Sequence, residues 1–115
     1  MNIEANKAAV SRYIEMWNTG TIALADEVLA PNYVDHAHPE IIGSEQVKQS
    51  VLAVRAVDPT FHIDIDLMIS EGDIVALQGT VHSTRQGQAS ISRVAWFARI
   101  VDGKMAEWWT WYSRG

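Results

Sequence analysis

The stretch NYVDHAHPE, residues 32–40, crowds together side chains that bind metals or move protons. It holds Asp35, His36 and His38, and so two of the four histidines of the chain. Side chains alternate along an extended segment, so His36 and His38 are predicted to point one way and Asp35 the other. A His-x-His pair can bind a metal, but zinc or iron needs a third protein ligand, which only a distant histidine or carboxylate supplies. We therefore predict no metal site here.

Two interpretations of His36 are open from its residue type. An imidazole has an ordinary pKa of ~6.5, so a histidine that faces a cavity can take up and return a proton at neutral pH. A histidine at a pocket rim or in a loop has no role beyond solvation and local hydrogen bonds. Tyr13 is equally open, because a tyrosine on the apolar face of a helix either packs in the core or, beside a pocket, stabilises an oxyanion.

The composition indicates one globular domain spanning residues 1–115 and excludes several classes of function. The net charge is -5 and lysine and arginine do not cluster, so nucleic acid is not expected as a partner. The chain has no cysteine, which excludes disulfides and thiolate metal sites. No apolar run approaches the length of a membrane span and the first residues do not resemble a signal sequence. We expect a cytoplasmic protein without a membrane partner.

Three helices are predicted in the first half of the chain. Apolar residues recur at helical spacing over residues 4–19, and Gly20 supplies a stop. A second, short helix is predicted over residues 22–29, with Thr21 as its cap. Ser44 is the predicted cap of the third helix, which ends before Pro59.

From residue 61 onward the hydrophobic period changes to two, which predicts strands. In FHIDIDLMI, the apolar residues Ile63, Ile65, Leu67 and Ile69 are predicted to share one face. The segments EGD, RQGQ and DG are predicted to be turns that connect four strands, and residues 32–38 form a short extended piece before the third helix. Helices followed by an antiparallel meander predict an α+β fold, with the helices packed on one face of the sheet.

The register of the last hairpin decides which aromatic residues share a face. If Asp102-Gly103 forms a two-residue type I′ loop, Trp96 shares a face with Trp109. If a type I turn is closed by a glycine bulge instead, Trp96 shares a face with Trp108. We prefer the bulged register, because it also brings an arginine and a glutamate onto one face. It places Trp96, Ala98, Trp108, Thr110 and Tyr112 on one face and Phe97, Arg99, Glu107, Trp109 and Trp111 on the other.

Five fragments carry a family resemblance across nearly the whole chain. They are RYIEMWNTG on the first helix, LAPNYVDH before the third, IIGSEQV at the start of the third, EGDIVALQGTV in the sheet and VDGKMAEWW at the last hairpin. In this order they resemble the SnoaL-like polyketide cyclase group of the nuclear transport factor 2-like superfamily, which includes ketosteroid isomerase. The resemblance implies a cone-shaped, strongly curved antiparallel sheet wrapped around three N-terminal helices (α-α-β-α-β-β-β-β). It also implies a ligand pocket inside the cone and a dimer through the outer sheet face.

The resemblance also implies roles for single residues. Tyr13 matches the tyrosine that hydrogen-bonds the developing enolate oxygen in ketosteroid isomerases. His36 falls where those isomerases keep a carboxylate base, and it matches a histidine common among SnoaL-like proteins. Trp96 and Thr110 stand where the cyclases have a histidine and an aspartate, so the acid-base pair of the cyclases is missing.

Together these observations predict a cofactor-independent acid-base enzyme of isomerase or cyclase type. Its substrate is expected to be a small apolar molecule that bears a carbonyl or an epoxide, with His36 and Tyr13 as the catalytic residues. The alternative is a non-catalytic protein that binds a small hydrophobic molecule in the same pocket. A homodimer is predicted through the face that carries Phe97, Trp109 and Trp111. The residues predicted to contact the ligand are Trp17, Asp35, His38, Trp96, Trp108, Thr110 and Tyr112.

Overall fold

The structure is a computed structural model that describes residues 2–112, which form three helices and one five-stranded sheet. In chain order the elements are α1 (Ile3–Thr19), α2 (Leu24–Val28), β1 (Leu29–Asp35), α3 (Gly43–Val57), β2 (His62–Glu71), β3 (Ile74–Arg85), β4 (Gln88–Val101) and β5 (Lys104–Tyr112). The order α-α-β-α-β-β-β-β is the predicted one, and the α+β fold class is confirmed.

Helix α1 begins and ends where its sequence predicts. The Asn2 side chain accepts a hydrogen bond from the backbone N–H of Ala5 at 3.0 Å, which caps the first turn. Gly20 adopts a left-handed conformation with φ 78° and donates its N–H to the Met16 carbonyl, which closes the last turn. The buried face of α1 includes Tyr13, so the helix carries this side chain into the interior.

The predicted caps of the other two helices are wrong. Helix α2 begins at Leu24, two residues later than predicted, and no side chain caps it. Helix α3 begins at Gly43, so Ser44 lies inside its first turn and its hydroxyl donates to Asp26 at 3.4 Å instead. Ile42 is the N-cap residue of α3. Its backbone N–H donates a hydrogen bond to the side-chain oxygen of Gln46 at 2.6 Å.

The sheet is curved, open and mixed, with strand order β1-β5-β4-β3-β2. Strands β2 to β5 form the predicted antiparallel meander. Strand β1 departs from the antiparallel prediction, because it runs parallel to β5 at one edge and pairs Asp35 with Trp108. The end of β1 therefore lies beside the middle of β5.

Strand β2 contains a bulge that reverses its alternation. Ile65 pairs with Gly79 and Leu67 pairs with Gln78, so Asp66 is the extra residue. An extra residue moves all following side chains to the opposite face. Leu67 and Ile69 consequently are 57% and 60% exposed, and the prediction that they share the face of buried Ile63 is wrong.

The last hairpin combines both predicted alternatives. Asp102 and Gly103 have φ angles of 51° and 79°, which is the type I′ geometry, and Val101 pairs with Lys104. The bulge lies further along β5, because Arg99 pairs with Glu107 whereas Ile100 pairs with Met105. The preferred turn geometry is thus wrong. The two predicted faces are nevertheless confirmed, because the extra residue Ala106 shifts the register of β5 by one residue, as the predicted bulge in the turn would have done.

We call the sheet face that carries Trp96 and Trp108 the inner face and the opposite one the outer face. The core lies between the inner face and the helices, and it combines Val10 and Ile14 of α1 with Val47 and Val51 of α3. Trp96 and Trp108 belong to the same buried cluster. Any cavity between helices and sheet is therefore bounded by side chains of the inner face.

Candidate functional site

A cavity of about 840 Å³ lies between the helices and the inner face of the sheet. Its volume is in the range of sites that bind small molecules. All seven residues predicted to contact a ligand line it, together with Tyr13. His36 does not line it. The cavity wall includes Tyr13, Trp17, Asp35, His38, Ile41, Val54, Phe61, Ile63, Ser83, Arg85, Ser90, Ser92, Val94, Trp96, Trp108, Thr110 and Tyr112.

Tyr13 is a buried residue of the cavity wall. The residue is 3% exposed, and its ring centroid lies 4.9 Å from that of Trp108. Its hydroxyl oxygen is 3.4 Å from that of Tyr33, which is also buried. Burial raises the pKa of Tyr13 to about 12, so the hydroxyl keeps its proton at neutral pH. If Tyr33 donates to Tyr13, the Tyr13 proton is available to an oxygen atom in the cavity.

Asp35 is the charged group at the same end of the cavity. It is the last residue of β1, pairs with Trp108 and is half-buried. One carboxylate oxygen accepts the backbone N–H of Ala37 at 3.0 Å. Burial is the main reason that the pKa values of Tyr13 and Tyr33 are raised, and the negative charge of Asp35 adds to the effect on both. Asp35 therefore lies close enough to both tyrosines to act on their ionisation.

His36 lies on the outer face, which corrects the prediction that it faces the cavity. Its Nε2 is 3.0 Å from a carboxylate oxygen of Glu107. Its ring stacks on Trp109 with centroids 4.7 Å apart and planes 6° apart. The reason is alternation: Asp35 precedes it in an extended strand and points inward, so the next side chain points outward.

His38 returns to the cavity because the chain turns after β1. Its backbone N–H donates to the Asp35 carbonyl at 3.1 Å, which closes a tight turn. The prediction that His36 and His38 share one side is therefore wrong, since alternation applies only to extended chain. Within residues 2–112, no three histidine, aspartate or glutamate side chains are arranged to hold a metal ion.

Two stacked indoles form the central wall of the cavity. The rings of Trp96 and Trp108 lie 5.8 Å apart with planes 21° apart. Trp96 packs over Gly79, where a Cβ atom would be 2.7 Å from both the Trp96 ring and the Asp64 carbonyl oxygen. This role of Gly79 was not predicted, although an isolated glycine in a strand is a signal for close packing.

The far end of the cavity is polar, and its serine residues were not predicted to line it. The inner-face positions of the β3–β4 hairpin pair Val81 with Ser92, Ser83 with Ser90 and Arg85 with Gln88. All but Val81 carry polar side chains, and the hydroxyl oxygens of Ser83 and Ser90 are 2.9 Å apart. The strand alternation around RQGQ places these residues on one face, so the sequence contained the necessary signal.

The chain belongs to the SnoaL-like polyketide cyclase family, whose model matches residues 7–114. This membership supports a function of cyclase or isomerase type. A search of curated protein sequences finds no match to the chain. No helix within residues 2–112 is both long enough and apolar enough to cross a membrane.

Solved structures share the fold at low sequence identity. A candidate polyketide cyclase from Bacillus cereus ATCC 10987 is 23% identical, with a TM-score of 0.84 over 95% of this chain and 74% of the other. TsrD from Streptomyces laurentii is 16% identical, with a TM-score of 0.85 over 98% and 91% of the two chains. A protein with a ketosteroid isomerase-like fold from Catenulispora acidiphila DSM 44928 is 22% identical, with a TM-score of 0.77 over 92% and 85%. At these identities the similarity establishes the fold alone.

Proposed function

We propose that the protein is a cofactor-independent acid-base enzyme that isomerises or cyclises a small, mostly apolar carbonyl compound in this cavity. One observation carries the proposal. The Asp35 carboxylate and the neutral, buried Tyr13 side chain both line the same end of a cavity that is walled by indole rings. Asp35 takes the role of base that the sequence analysis gave to His36.

In this proposal the two groups act on neighbouring atoms of the substrate. The Asp35 carboxylate removes a proton from the carbon next to the carbonyl, and the electron pair of that C–H bond moves to the carbonyl oxygen. Tyr13 donates a hydrogen bond to the oxygen as negative charge develops there. In a β,γ-unsaturated compound the resulting dienolate takes the proton back from Asp35 at the γ carbon, which shifts the double bond. In a cyclisation the enolate carbon attacks a second carbonyl carbon of the same molecule, and the oxygen of that carbonyl receives the electron pair of its C=O π bond and then the proton from Asp35. Trp96 and Trp108 restrict water around the enolate.

Proton exchange tests this reaction without knowledge of the natural substrate. We expect the protein to speed the exchange of α-protons for deuterium in some members of a panel of cyclic ketones and β-diketones, followed by proton NMR in D2O. Asp35→Asn should abolish the acceleration, because an amide cannot accept the proton. The matched control is Glu40→Gln, which removes an exposed carboxylate from the same loop and should retain exchange. Equal exchange in wild type and Asp35→Asn would refute the assignment.

A non-catalytic binding function is the second candidate. It is favoured by Trp96 and Thr110, which line the cavity with groups that do not titrate near neutral pH. A binding protein would show saturable quenching of tryptophan fluorescence by apolar carbonyl compounds but no proton exchange with any of them. The same panel therefore separates the two candidates.

We also propose that the protein forms a homodimer through the outer face. Phe97 and Trp111 are 41% and 49% exposed there, with ring centroids 4.9 Å apart. Leu67 and Ile69 extend this apolar surface across the sheet, and an ion pair between Arg99 and Glu107 lies at its side. Contiguous apolar patches of this kind are typical of interfaces. Light scattering at micromolar concentration should give twice the mass of the chain, and a monomeric mass would contradict the proposal.

A further inference from the structure

The cavity has two chemically different ends. At one end lie Asp35 and Tyr13, surrounded by aromatic rings. Along the β3–β4 hairpin the inner face then changes from apolar pairs, such as Leu77 with Trp96, to the serine pair Ser83 with Ser90. A cavity that takes only an apolar molecule would not need this polar end.

Arg85 closes the polar end and is the cation there. It is the last residue of β3, it is exposed, and it lines the cavity. Arg85 forms no ion pair with any carboxylate of residues 2–112. Its guanidinium group therefore has donors left for a ligand.

The nearby carboxylate, Asp58, is already occupied by other donors. One of its oxygens accepts hydrogen bonds from the backbone N–H and the hydroxyl of Thr60, and the other accepts the backbone N–H of Thr84 at 2.7 Å. These bonds hold the pKa of Asp58 below its usual value, and the charge of Arg85 contributes least to that shift. Asp58 thus does not satisfy the guanidinium group.

We propose that this end of the cavity binds the carboxylate of an elongated amphipathic ligand, with Arg85 as its cation and Ser83, Ser90 and Ser92 as hydroxyl partners. The inference rests on the proposed function, because it takes the Asp35 end as the place of the carbonyl. A single arginine suits the planar, singly charged carboxylate, which it can bind through two parallel hydrogen bonds.

Charge also orients such a ligand. Asp35 repels a carboxylate at the tyrosine end, whereas Arg85 attracts it to the other, so the carbonyl end is delivered to Asp35. The ligand must be long. Asp35 pairs with Trp108 of β5, and Trp108 pairs with Ala98 of β4. Arg85 pairs with Gln88, which lies ten residues before Ala98 on the same strand, so the two ends of the cavity are far apart along β4.

Binding of a matched pair of probes tests the assignment. The probes are 2-naphthols that carry at position 6 an unbranched chain ending in a carboxylic acid or in its primary amide, in a series of chain lengths. Quenching of tryptophan fluorescence reports binding, since Trp17, Trp96 and Trp108 line the cavity. We expect wild type to bind the long-chain acid about fivefold more tightly than its amide, and the shortest acid and amide equally.

Variants identify the group responsible. Arg85→Gln should bind acid and amide equally, and Arg85→Lys should restore part of the preference because it keeps the charge. The control is Arg93→Gln, which removes an exposed arginine paired with Thr80 on the same hairpin, at a position that does not line the cavity. It should keep the full preference. Thermal unfolding of each variant verifies that it is folded.

The outcomes separate this inference from the proposed function. Equal binding of long acid and amide by wild type, or a preference that survives in Arg85→Gln, would overturn the carboxylate subsite while leaving proton exchange by Asp35 intact. A preference lost equally in Arg93→Gln would overturn it as well, because the effect would then be one of net charge. If no probe of either kind binds, the carboxylate subsite is overturned as well, whereas the proton-exchange assay still decides the proposed function.

Discussion

Asp35 and His36 are neighbours in sequence but lie on opposite faces of one sheet, in different chemical surroundings. Asp35 faces a cavity, where no cation of residues 2–112 pairs with it. His36 faces outward, between Glu107 and Trp109. The carboxylate is free to accept a proton from a ligand, whereas the imidazole is held in a stacked, hydrogen-bonded arrangement. Position relative to the sheet, and not residue type, decides which of the two faces the cavity.

The aromatic residues show the same contrast. Trp96 and Trp108 of the inner face are buried and stacked, and they form the cavity wall. Phe97 and Trp111 of the outer face are close to half exposed. The inner pair belongs to the core of the monomer, whereas the outer pair has apolar surface left to bury against another chain.

The largest expected difference between the faces is in stability. Trp96→Ala should lower the free energy of unfolding by about 3 to 5 kcal/mol, because it removes a buried indole from a packed core. This loss should not depend on protein concentration. Trp111→Ala should instead have an effect that is largest at high protein concentration and disappears on dilution, since its contribution comes from dimer contacts. Denaturant unfolding at several concentrations measures both, and a concentration-independent loss in Trp111→Ala would contradict the proposed dimer.

Tyr13→Phe should have the next largest effect, on turnover. Removing one donor to a developing oxyanion typically costs about 100- to 1000-fold in kcat. Proton exchange should fall by this order while the affinity for apolar ligands is nearly kept. Tyr33→Phe is the matched control, and its effect should be smaller because Tyr33 acts only through Tyr13.

The raised pKa of Tyr13 gives a separate test at alkaline pH. The pKa is about 12 in the folded protein, against the ordinary value of 10.0 for a tyrosine. Because the folded state holds this proton more tightly, its contribution to stability is complete below pH 10 and is lost as the pH rises towards 12. Wild type should therefore lose stability over this interval more steeply than Tyr13→Phe. Equal slopes would show that the hydroxyl is not desolvated.

The third effect concerns the support of the cavity wall. Gly79→Ala should cost about 1 to 3 kcal/mol of stability, because the added Cβ overlaps the Trp96 ring and the Asp64 carbonyl. Gly103→Ala serves as the control, since that glycine has a positive φ but no atom near its Cβ, so its cost is one of backbone strain alone. The double variant Gly79→Ala with Trp96→Phe should recover part of the loss, and a purely additive result would show that the two sites do not touch.

The contrast between the faces also explains what the sequence could predict. The helices and strands follow from hydrophobic periods, and the pocket residues Trp96, Trp108, Thr110 and Tyr112 follow from the faces of one hairpin. A bulge changes the face of every later residue, and Asp66 and Ala106 are not marked as bulges by residue type. The outward position of Leu67 was missed for this reason. The two faces of the last hairpin were predicted correctly, although the bulge was predicted in the turn and lies at Ala106.

The prediction that His36 and His38 share one side failed at a single step. Counting alternation from Asp35 placed His36 and His38 on one side, because the segment was treated as extended throughout. The strand ends at Asp35, and a tight turn then brings His38 back towards the cavity. Turn formation here depends on two hydrogen bonds that no periodic pattern reveals. The His38 N–H donates to the Asp35 carbonyl, and the Ala37 N–H donates to the Asp35 carboxylate.

His36→Gln is expected to have the smallest effect, and it bears most directly on the comparison. Glutamine can keep a hydrogen bond to Glu107 but loses the stacking on Trp109, which should cost about 0.5 to 1.5 kcal/mol of stability. Turnover should fall by no more than about threefold, through looser positioning of the adjacent Asp35, and the pH profile of proton exchange should keep its shape because the base is unchanged. A 100-fold loss with ligand affinity intact would instead mean that the histidine is the base. In that case His36 would face the cavity and Asp35 would face outward in the productive conformation.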